Sequence, residues 1–324
     1  MSEASAARPT LGLQPLHPSD AAVVSALGYA PDVHRLRDAV LEWIDAASEE
    51  MQAQLRWQFL GRSKYFRPMA TFACCRAMRR GAVPAQVIRG AVAIELFHNV
   101  SLIIDDILDA SDERRGVPTL HKRFGSLPAL MASGFVVADG YRMLAEDPVG
   151  IRLLSELLGR LGVAECLQWR LRRQPLGVED WRLIAGEDTG TMFEVCACMG
   201  TRSEELRRFG RLLGMLYHGC DDVGDARGLE ALGGGGDEDI RDGILTLPAA
   251  LAIRNPRVRE LFCKEQPTAA DIETLAQAIA AQVPDAEAHL DGLANEAREE
   301  ALLHARDPEP LFAMIDHTRQ LSRR

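Results

Sequence analysis

Positive charge, aromatic rings and regularly spaced cysteines are all scarce in this 324-residue chain, and each scarcity excludes something. Lysine and arginine number 37 against 47 aspartates and glutamates, a formal net charge of −10. A nucleic-acid binder would normally show a basic stripe, so none is expected to be a partner. Polyanions could be held only by local basic clusters or metal ions. The seven cysteines include the adjacent Cys74 and Cys75 but no CxxC pair, which excludes a disulfide framework. No uninterrupted apolar run approaches the roughly 18–20 residues that cross a bilayer, so no membrane span is expected. MSEASAARPTLG lacks the basic-then-apolar order of a secretory signal, and a reduced, cytoplasmic setting follows. Runs rich in β-branched and aromatic residues with period-two alternation are almost absent, which leaves no convincing sheet.

What remains is helix. Hydrophobic residues make up 47% and charged residues 26% of the chain, the balance of an ordinary globular protein with a substantial core. VHRLRDAVLEWIDAASEEMQAQL and IETLAQAIAAQV place apolar residues at three- and four-residue steps. Helix ends fall at Gly61, the RRGVP turn at residues 114–118, Gly186 and LGGGG at 232–236. The acidic DEDIRD that follows the glycines reads as a mobile loop. Residues 1–22 carry three prolines and no periodicity and read as a flexible arm. Residues 23–324 then form a single all-α domain. The scattered Trp43, Trp57, Trp169 and Trp181 are expected to pack helices, Cys196 and Cys198 to be small core residues, and the basic groups of RLRRQ to be solvated.

Two carboxylate strings stand out, DDILD (Asp105, Asp106, Asp109) and DDVGD (Asp221, Asp222, Asp225). ELFHNVSLIIDDILDASDE reads as a buried helix with Leu96, Ile103, Ile104, Ile107 and Leu108 as its apolar surface. On it Asp105 and Asp109 share a face, and Asp221 and Asp225 repeat that geometry. Like charges at this spacing destabilise a helix, and burying them alone would cost far more. A solvated acidic face is the commoner fate of one such string. Two matched strings beside strongly apolar helix favour facing clamps around one metal cluster. Asp105, Asp106, Asp109, Asp221 and Asp225 are therefore candidate ligands of Mg²⁺, which suits carboxylate oxygens and completes its shell with water and substrate phosphate. The substrate should carry a phosphate or diphosphate. Arg114 and Arg115, five and six positions beyond the first string, could serve two different anions, since arginine's planar fork matches phosphate oxygens.

These residues resemble a family. FHNVSLIIDDILDASDERRGVPTLHKRFG is similar to the first aspartate-rich region of the trans-isoprenyl diphosphate synthases, where DDxxD, four residues and RRG recur. GRSKYFRP resembles that family's GGKRxRP segment, LLGMLYHGCDDVGD its second aspartate-rich region and RDGILTLPAAL its GKxTLP segment. The resemblance runs from about residue 35 to 255, in the family's order, with geranylgeranyl and farnesyl diphosphate synthases as the type. It implies an all-α isoprenoid synthase-type bundle around a deep apolar cavity, usually a homodimer, with magnesium held by both motifs. An allylic diphosphate ionises, the double bond of isopentenyl diphosphate attacks the cation, and loss of a proton completes the extension. By the resemblance all six aspartates, Asp222 included, are catalytic. Arg114 meets the allylic diphosphate, and Arg115, Lys64, Arg67 and His98 surround isopentenyl diphosphate. The floor of the chain pocket falls at Phe97, Val100 and Ser101, which favours a C20 product over C15.

The chain departs from the family at four places. Asp188 stands at the lysine position of a KT pair whose Thr189 is retained, and Ile244 replaces the lysine of GKxTLP. His218 replaces the glutamine of FQxxDD, and Tyr65 an arginine of GGKRxRP. Both missing lysines normally help hold the allylic diphosphate. Three readings stay open: chain extension with Arg114, His218 or the metals compensating, a terpene synthase that cyclises or hydrolyses a prenyl diphosphate, or a non-catalytic partner subunit of a heteromeric synthase.

Overall fold

A computed structural model of the chain describes residues 15–61, 63–228 and 236–323. The all-α expectation holds. The chain opens with α1 (Pro18–Ala26), α2 (Ala30–Ala46), α3 (Glu49–Phe59), α4 (Phe66–Met78) and the long α5 (Ala85–Leu108). A two-stranded ribbon, β1 (Glu113–Arg114) and β2 (Val117–Pro118), separates these from α6 (Leu120–Phe124), α7 (Ser126–Met143), α8 (Pro148–Leu171) and α9 (Val178–Ala185). A π-helical turn, Gly186–Gly190, leads into α10 (Thr191–Thr201) and α11 (Arg207–Ala226). Then come α12 (Gly236–Asp242), α13 (Leu247–Ala252), α14 (Pro256–Phe262), α15 (Ala269–Ala280), α16 (Val283–His304) and α17 (Glu309–Leu321). Residues 1–66 and 92–143 pack as one compact unit, and residues 67–91 and 144–324 as another.

In the first unit Ile103 of α5, Leu120 of α6 and Ala129 and Ala132 of α7 make one apolar cluster, with Trp57, Ile107 and Phe124 packed against it. The alanines of α7 let the two long helices approach closely. Phe97 uses the same device: its ring occupies the space a Cβ on Gly140 would need and meets Tyr141 edge-on at 5.5 Å. Trp43 donates its indole N–H to Asp139 (2.9 Å), which ties α2 to α7. The RRGVP turn is a hairpin in which Arg114 pairs with Val117. Arg115 and Gly116 both have positive φ, 55° and 77°, as a type I′ turn requires.

In the second unit α11 is central and packs on α10, α16, α17 and the π-helical turn. Glycines set its distance from its neighbours. A Cβ on Gly210 would run into the Phe193 carbonyl, and one on Gly214 would lie 2.7 Å from Gly190 Cα. An ionic layer joins three helices here. Glu194 of α10 meets Arg160 of α8 (2.7 Å) and Arg207 and Arg211 of α11 (3.0 and 2.9 Å). Charged hydrogen bonds of this kind persist away from water because each carboxylate oxygen is satisfied. At the far end of α17, Arg319 is almost fully buried and binds Glu287 and Asp291 of α16 (2.7 Å each). It also reaches Cys220 Sγ of α11 at 3.7 Å.

Several local expectations are corrected. Residues 18–22 of the expected arm already belong to α1, whose Pro18 takes the first helical position that proline tolerates; residues 1–14 lie outside the described residues. The acidic stretch after the glycines is the helix α12 rather than a loop, while 229–235 lie outside the described residues. Ile104 and Leu108 are 39% and 73% exposed instead of buried. Trp169 is 69% exposed and packs no helix, holding Arg172 over its ring at 4.2 Å. Arg172 and Arg173 of RLRRQ are engaged with Asp242 and the Arg241 carbonyl. Cys196 and Cys198 are core residues as expected. Among the described residues one helix, α5, is long and apolar enough to cross a membrane by length and composition, but 78% of that window is buried, as in a core helix.

Gly210→Ala should force α10 and α11 apart and lower stability by about 1–3 kcal/mol. Gly292→Ala, in an exposed stretch of α16 with open space around it, should raise it by roughly 0.5–1 kcal/mol through helix propensity. Thermal unfolding of both variants beside the parent chain checks the opposite signs.

Candidate functional site

The first carboxylate set sits where α5 runs out. Asp105 is half-buried, Asp106 buried and Asp109 exposed. The Asp109 N–H still donates to the Asp105 carbonyl (2.9 Å), so the i, i+4 relation read from the sequence is present. Asp106 has a basic partner: its Oδ1 accepts from Arg114 Nε at 2.8 Å. Burial pushes the Asp106 carboxyl up, Arg114 pulls it back and Asp109 adds to the rise. The chain beyond α5 is fastened by Thr119, which donates its N–H to the Asp112 carbonyl (3.0 Å) and its hydroxyl to the Ser111 carbonyl (2.8 Å). The hairpin therefore fixes Arg114 beside the carboxylates and leaves Arg115 exposed.

Other candidates of the first unit lie upstream on α5 or before α4. Phe97 and Val100 are buried, and Ser101 donates its hydroxyl to the His98 carbonyl (2.8 Å). His98 and Lys64 are half-buried. Tyr65, next to Lys64, is buried with φ 50°. Burial and then Glu95 push its phenol up to about 12. It stays neutral, where the family pattern has a permanent cation.

The second set occupies the end of α11, and its three members differ. Asp222 is buried, and its Oδ2 accepts from Trp181 Nε1 and from the Leu247 N–H, both at 2.8 Å. It anchors α9 and the amino end of α13 to α11. Asp221 and Asp225 are half-buried and lie about 40° apart around the helix, with Asp222 about 100° from Asp221. One turn before Asp222, His218 turns Nε2 toward Asp222 Oδ1 (3.7 Å) and Nδ1 toward Asp188 Oδ2 (3.4 Å). Thr189 Oγ1 lies 3.0 Å from His218 Nδ1 and donates to Asp188 Oδ2 at 3.1 Å.

Two departures from the family pattern, Asp188 and His218, are thus partners. Burial disfavours the charged ring, yet Asp222 and Asp188 together raise His218 to about 9. Burial also opposes ionisation of Asp188, but His218, Thr189 and Arg67 hold its carboxyl below the usual range. Arg67 lies over the Phe193 ring, 5.8 Å from its centroid.

Beside the second set opens a pocket of ≈ 380 Å³, lined among others by Asp222, Asp225, Arg227, Asp239, Ile240 and Ile244. Ile244 gives this wall an apolar face where the family pattern has a lysine. Asp239, on α12, was missed in the sequence, although an acidic string so close to the TLP segment was a usable signal. Burial first, then Asp222, Asp225 and Asp221, push its carboxyl up to about 7. Asp221, Asp222 and Asp225 all act on Asp239, a concentration of carboxylate that a hard divalent ion with oxygen ligands relieves. Among the described residues no three His, Cys, Asp or Glu groups converge as a ready-made metal cage.

Comparison with known proteins identifies the family. The profile of the family described as Polyprenyl synthetase matches residues 49–280, and the chain belongs to that family. Geranylgeranyl pyrophosphate synthase 4 of Arabidopsis thaliana is 28% identical over 251 residues, covering 70% of this chain and 66% of that protein. Solanesyl diphosphate synthase 2, chloroplastic, of the same plant is 29% identical over 253 residues, covering 73% and 61%. The chain thus spans just under two thirds of the length of these curated relatives. Among solved structures, heptaprenyl diphosphate synthase from Staphylococcus aureus superposes with a TM-score of 0.80 at 20% identity, covering 91% of this chain and 98% of that one. Polyprenyl synthase from Caulobacter crescentus, complexed with calcium and isoprenyl diphosphate, gives 0.81 at 23% identity, covering 94% and 98%. Both share the all-helical fold.

Trp181→Phe removes the indole N–H from Asp222 Oδ2 and leaves that buried carboxylate one donor short. A stability loss of about 1–3 kcal/mol is expected, read as a lower urea midpoint with an unchanged slope.

Proposed function

We propose that this chain is a trans-prenyltransferase that joins isopentenyl diphosphate to an allylic diphosphate in the presence of Mg²⁺ and releases a longer prenyl diphosphate. The observation that carries the reading is the excess of carboxylate around Asp221, Asp225 and Asp239 at the end of a buried helix, in a chain of this family. Asp105, Asp106 and Asp109 of the first string and Asp221 and Asp225 of the second are the residues that would hold the metal. Bound Mg²⁺ would neutralise charge developing on the departing diphosphate. Arg114 would grip the allylic diphosphate, and Lys64, Arg67, His98 and Arg115 would receive isopentenyl diphosphate. Thr189 and His218, at the positions of the family's threonine and glutamine, would add to the substrate diphosphate site. The apolar surface upstream of Asp105 shields the allylic cation from water.

A cyclase has no use for an isopentenyl diphosphate site, and the retained Lys64, Arg67, His98 and Arg115 favour extension over that alternative. They equally disfavour a non-catalytic partner subunit. We assign a C20 product. Val100 and Phe97 are buried on the same stretch of α5, and a branched four-carbon side chain leaves more depth than a tyrosine would. We also propose that the chain works in the cytoplasm, where its seven free thiols stay reduced. A homodimer would cover the apolar side chains that α5 and α7 expose, Ile104, Leu108, Leu127, Leu130 and Met131.

Purified protein with Mg²⁺, labelled isopentenyl diphosphate and dimethylallyl, geranyl or farnesyl diphosphate should place label in a C20 diphosphate. Hydrocarbon or alcohol formed from an allylic diphosphate alone would instead establish a terpene synthase. Silence in both sets from folded protein would point to a partner subunit. Asp105→Asn and Asp225→Asn should each lower turnover by ~100-fold or more. Val100→Tyr should shorten the product, and an unchanged chain length would move the pocket floor elsewhere.

A further inference from the structure

A line of polar contacts crosses the second unit from the π-helical turn to the amino end of α13. Asp188 is carried by that turn, which is fixed from outside. Its neighbour Glu187 is gripped by Arg160 and Arg211, each at 2.9 Å, and a Cβ on Gly186 would stand 2.5 Å from the Arg211 guanidinium. So placed, Asp188 and the Thr189 hydroxyl engage one edge of the His218 ring, at 3.4 and 3.0 Å. The opposite edge of the ring faces Asp222 Oδ1 at 3.7 Å. Asp222 then spends its other oxygen on Trp181 and Leu247.

An imidazole held at one nitrogen presents the other in a fixed direction, and outer groups of this kind commonly orient the ligands of a metal. The charges also match. A lone carboxylate at position 188 would add to a region that already holds Asp221, Asp222, Asp225 and Asp239, and a lone cationic ring would have Asp222 as its sole close partner. Together Asp188 and His218 bring no net charge, and they keep Asp222 turned to Trp181 and Leu247.

We propose that Asp188, Thr189 and His218 form one positioning unit, in which neither charged partner works without the other, and that this unit holds Asp222 in place and so fixes Asp221 and Asp225 for the divalent cation. The inference rests on the reading of Asp221 and Asp225 as metal ligands. It also accounts for a carboxylate at position 188, where the family pattern has a lysine: the two departures compensate each other.

Mn²⁺ can stand in for Mg²⁺, with its free concentration followed by electron paramagnetic resonance in the presence of inorganic pyrophosphate. Asp188→Asn, Thr189→Val and His218→Gln should each weaken Mn²⁺ binding by ~10-fold or more. The Asp188→Asn/His218→Gln double variant should bind no worse than the weaker single. Asp188→Lys should depress chain extension by ~10-fold or more, because two cations then face each other, and adding His218→Gln should recover most of that loss. Parent-like Mn²⁺ affinity in the single variants, or losses that multiply in the double, would overturn the unit. Failure of the parent chain itself to bind Mn²⁺ would instead overturn the assignment of Asp221 and Asp225. If either charged variant does not fold, Thr189→Val decides the matter: it is nearly isosteric, and unchanged affinity there rejects the proposal.

Discussion

Crowded negative charge at the end of a buried helix is the constraint on which the second unit is built. Asp221, Asp222 and Asp225 lie within two turns of α11, with Asp239 and Asp188 brought up from other segments. Each is stabilised differently. Asp222 has an indole and a backbone N–H, and Asp188 has a histidine and a hydroxyl. Asp239 is pushed toward protonation instead. Asp221 and Asp225 share one face of the helix, where oxygen donors can meet a cation. The apolar packing serves this arrangement, since glycines at 210 and 214 let α11 approach its neighbours closely enough for those contacts to form.

The first unit meets the same difficulty more simply. It has one buried carboxylate, Asp106, and one arginine delivered by a tight hairpin eight residues on. The hairpin needs two left-handed residues in succession, and Gly116 supplies one without cost while Arg115 bears the strain at the other. A non-glycine residue in that conformation stores roughly 1–2 kcal/mol. Here it faces solvent with its guanidinium exposed, the condition under which an arginine can meet an incoming anion.

Much of this was legible in the sequence, and the gaps have physical reasons. The helical class followed from three- and four-residue spacing, and the turn at 114–118 from RRGVP, because both are local signals; that the turn closes a two-stranded ribbon was not read. The pairing of Asp105 with Asp109 was also local. What could not be read was which aspartate does what. Asp222 differs from Asp221 only because Trp181 and Leu247, 41 and 25 residues away, converge on it. The partnership of Asp188 and Thr189 with His218 was hidden because His218 lies 29 positions beyond Thr189. Asp239 was hidden in a string read as a loop. The exposure of Ile104 and Leu108 was missed because apolar composition does not say which side of a helix end is covered.

The contact between Arg319 and Cys220 ties the end of α17 to the residue just before Asp221. The two are separated by 99 positions, so on a growing chain α11 is finished long before the helix that braces it. Until α17 emerges and docks through Glu287 and Asp291, the segment bearing Asp221 has neither its buried guanidinium nor its last packing partner. Maturation of the second carboxylate set therefore waits on a helix made 99 positions later.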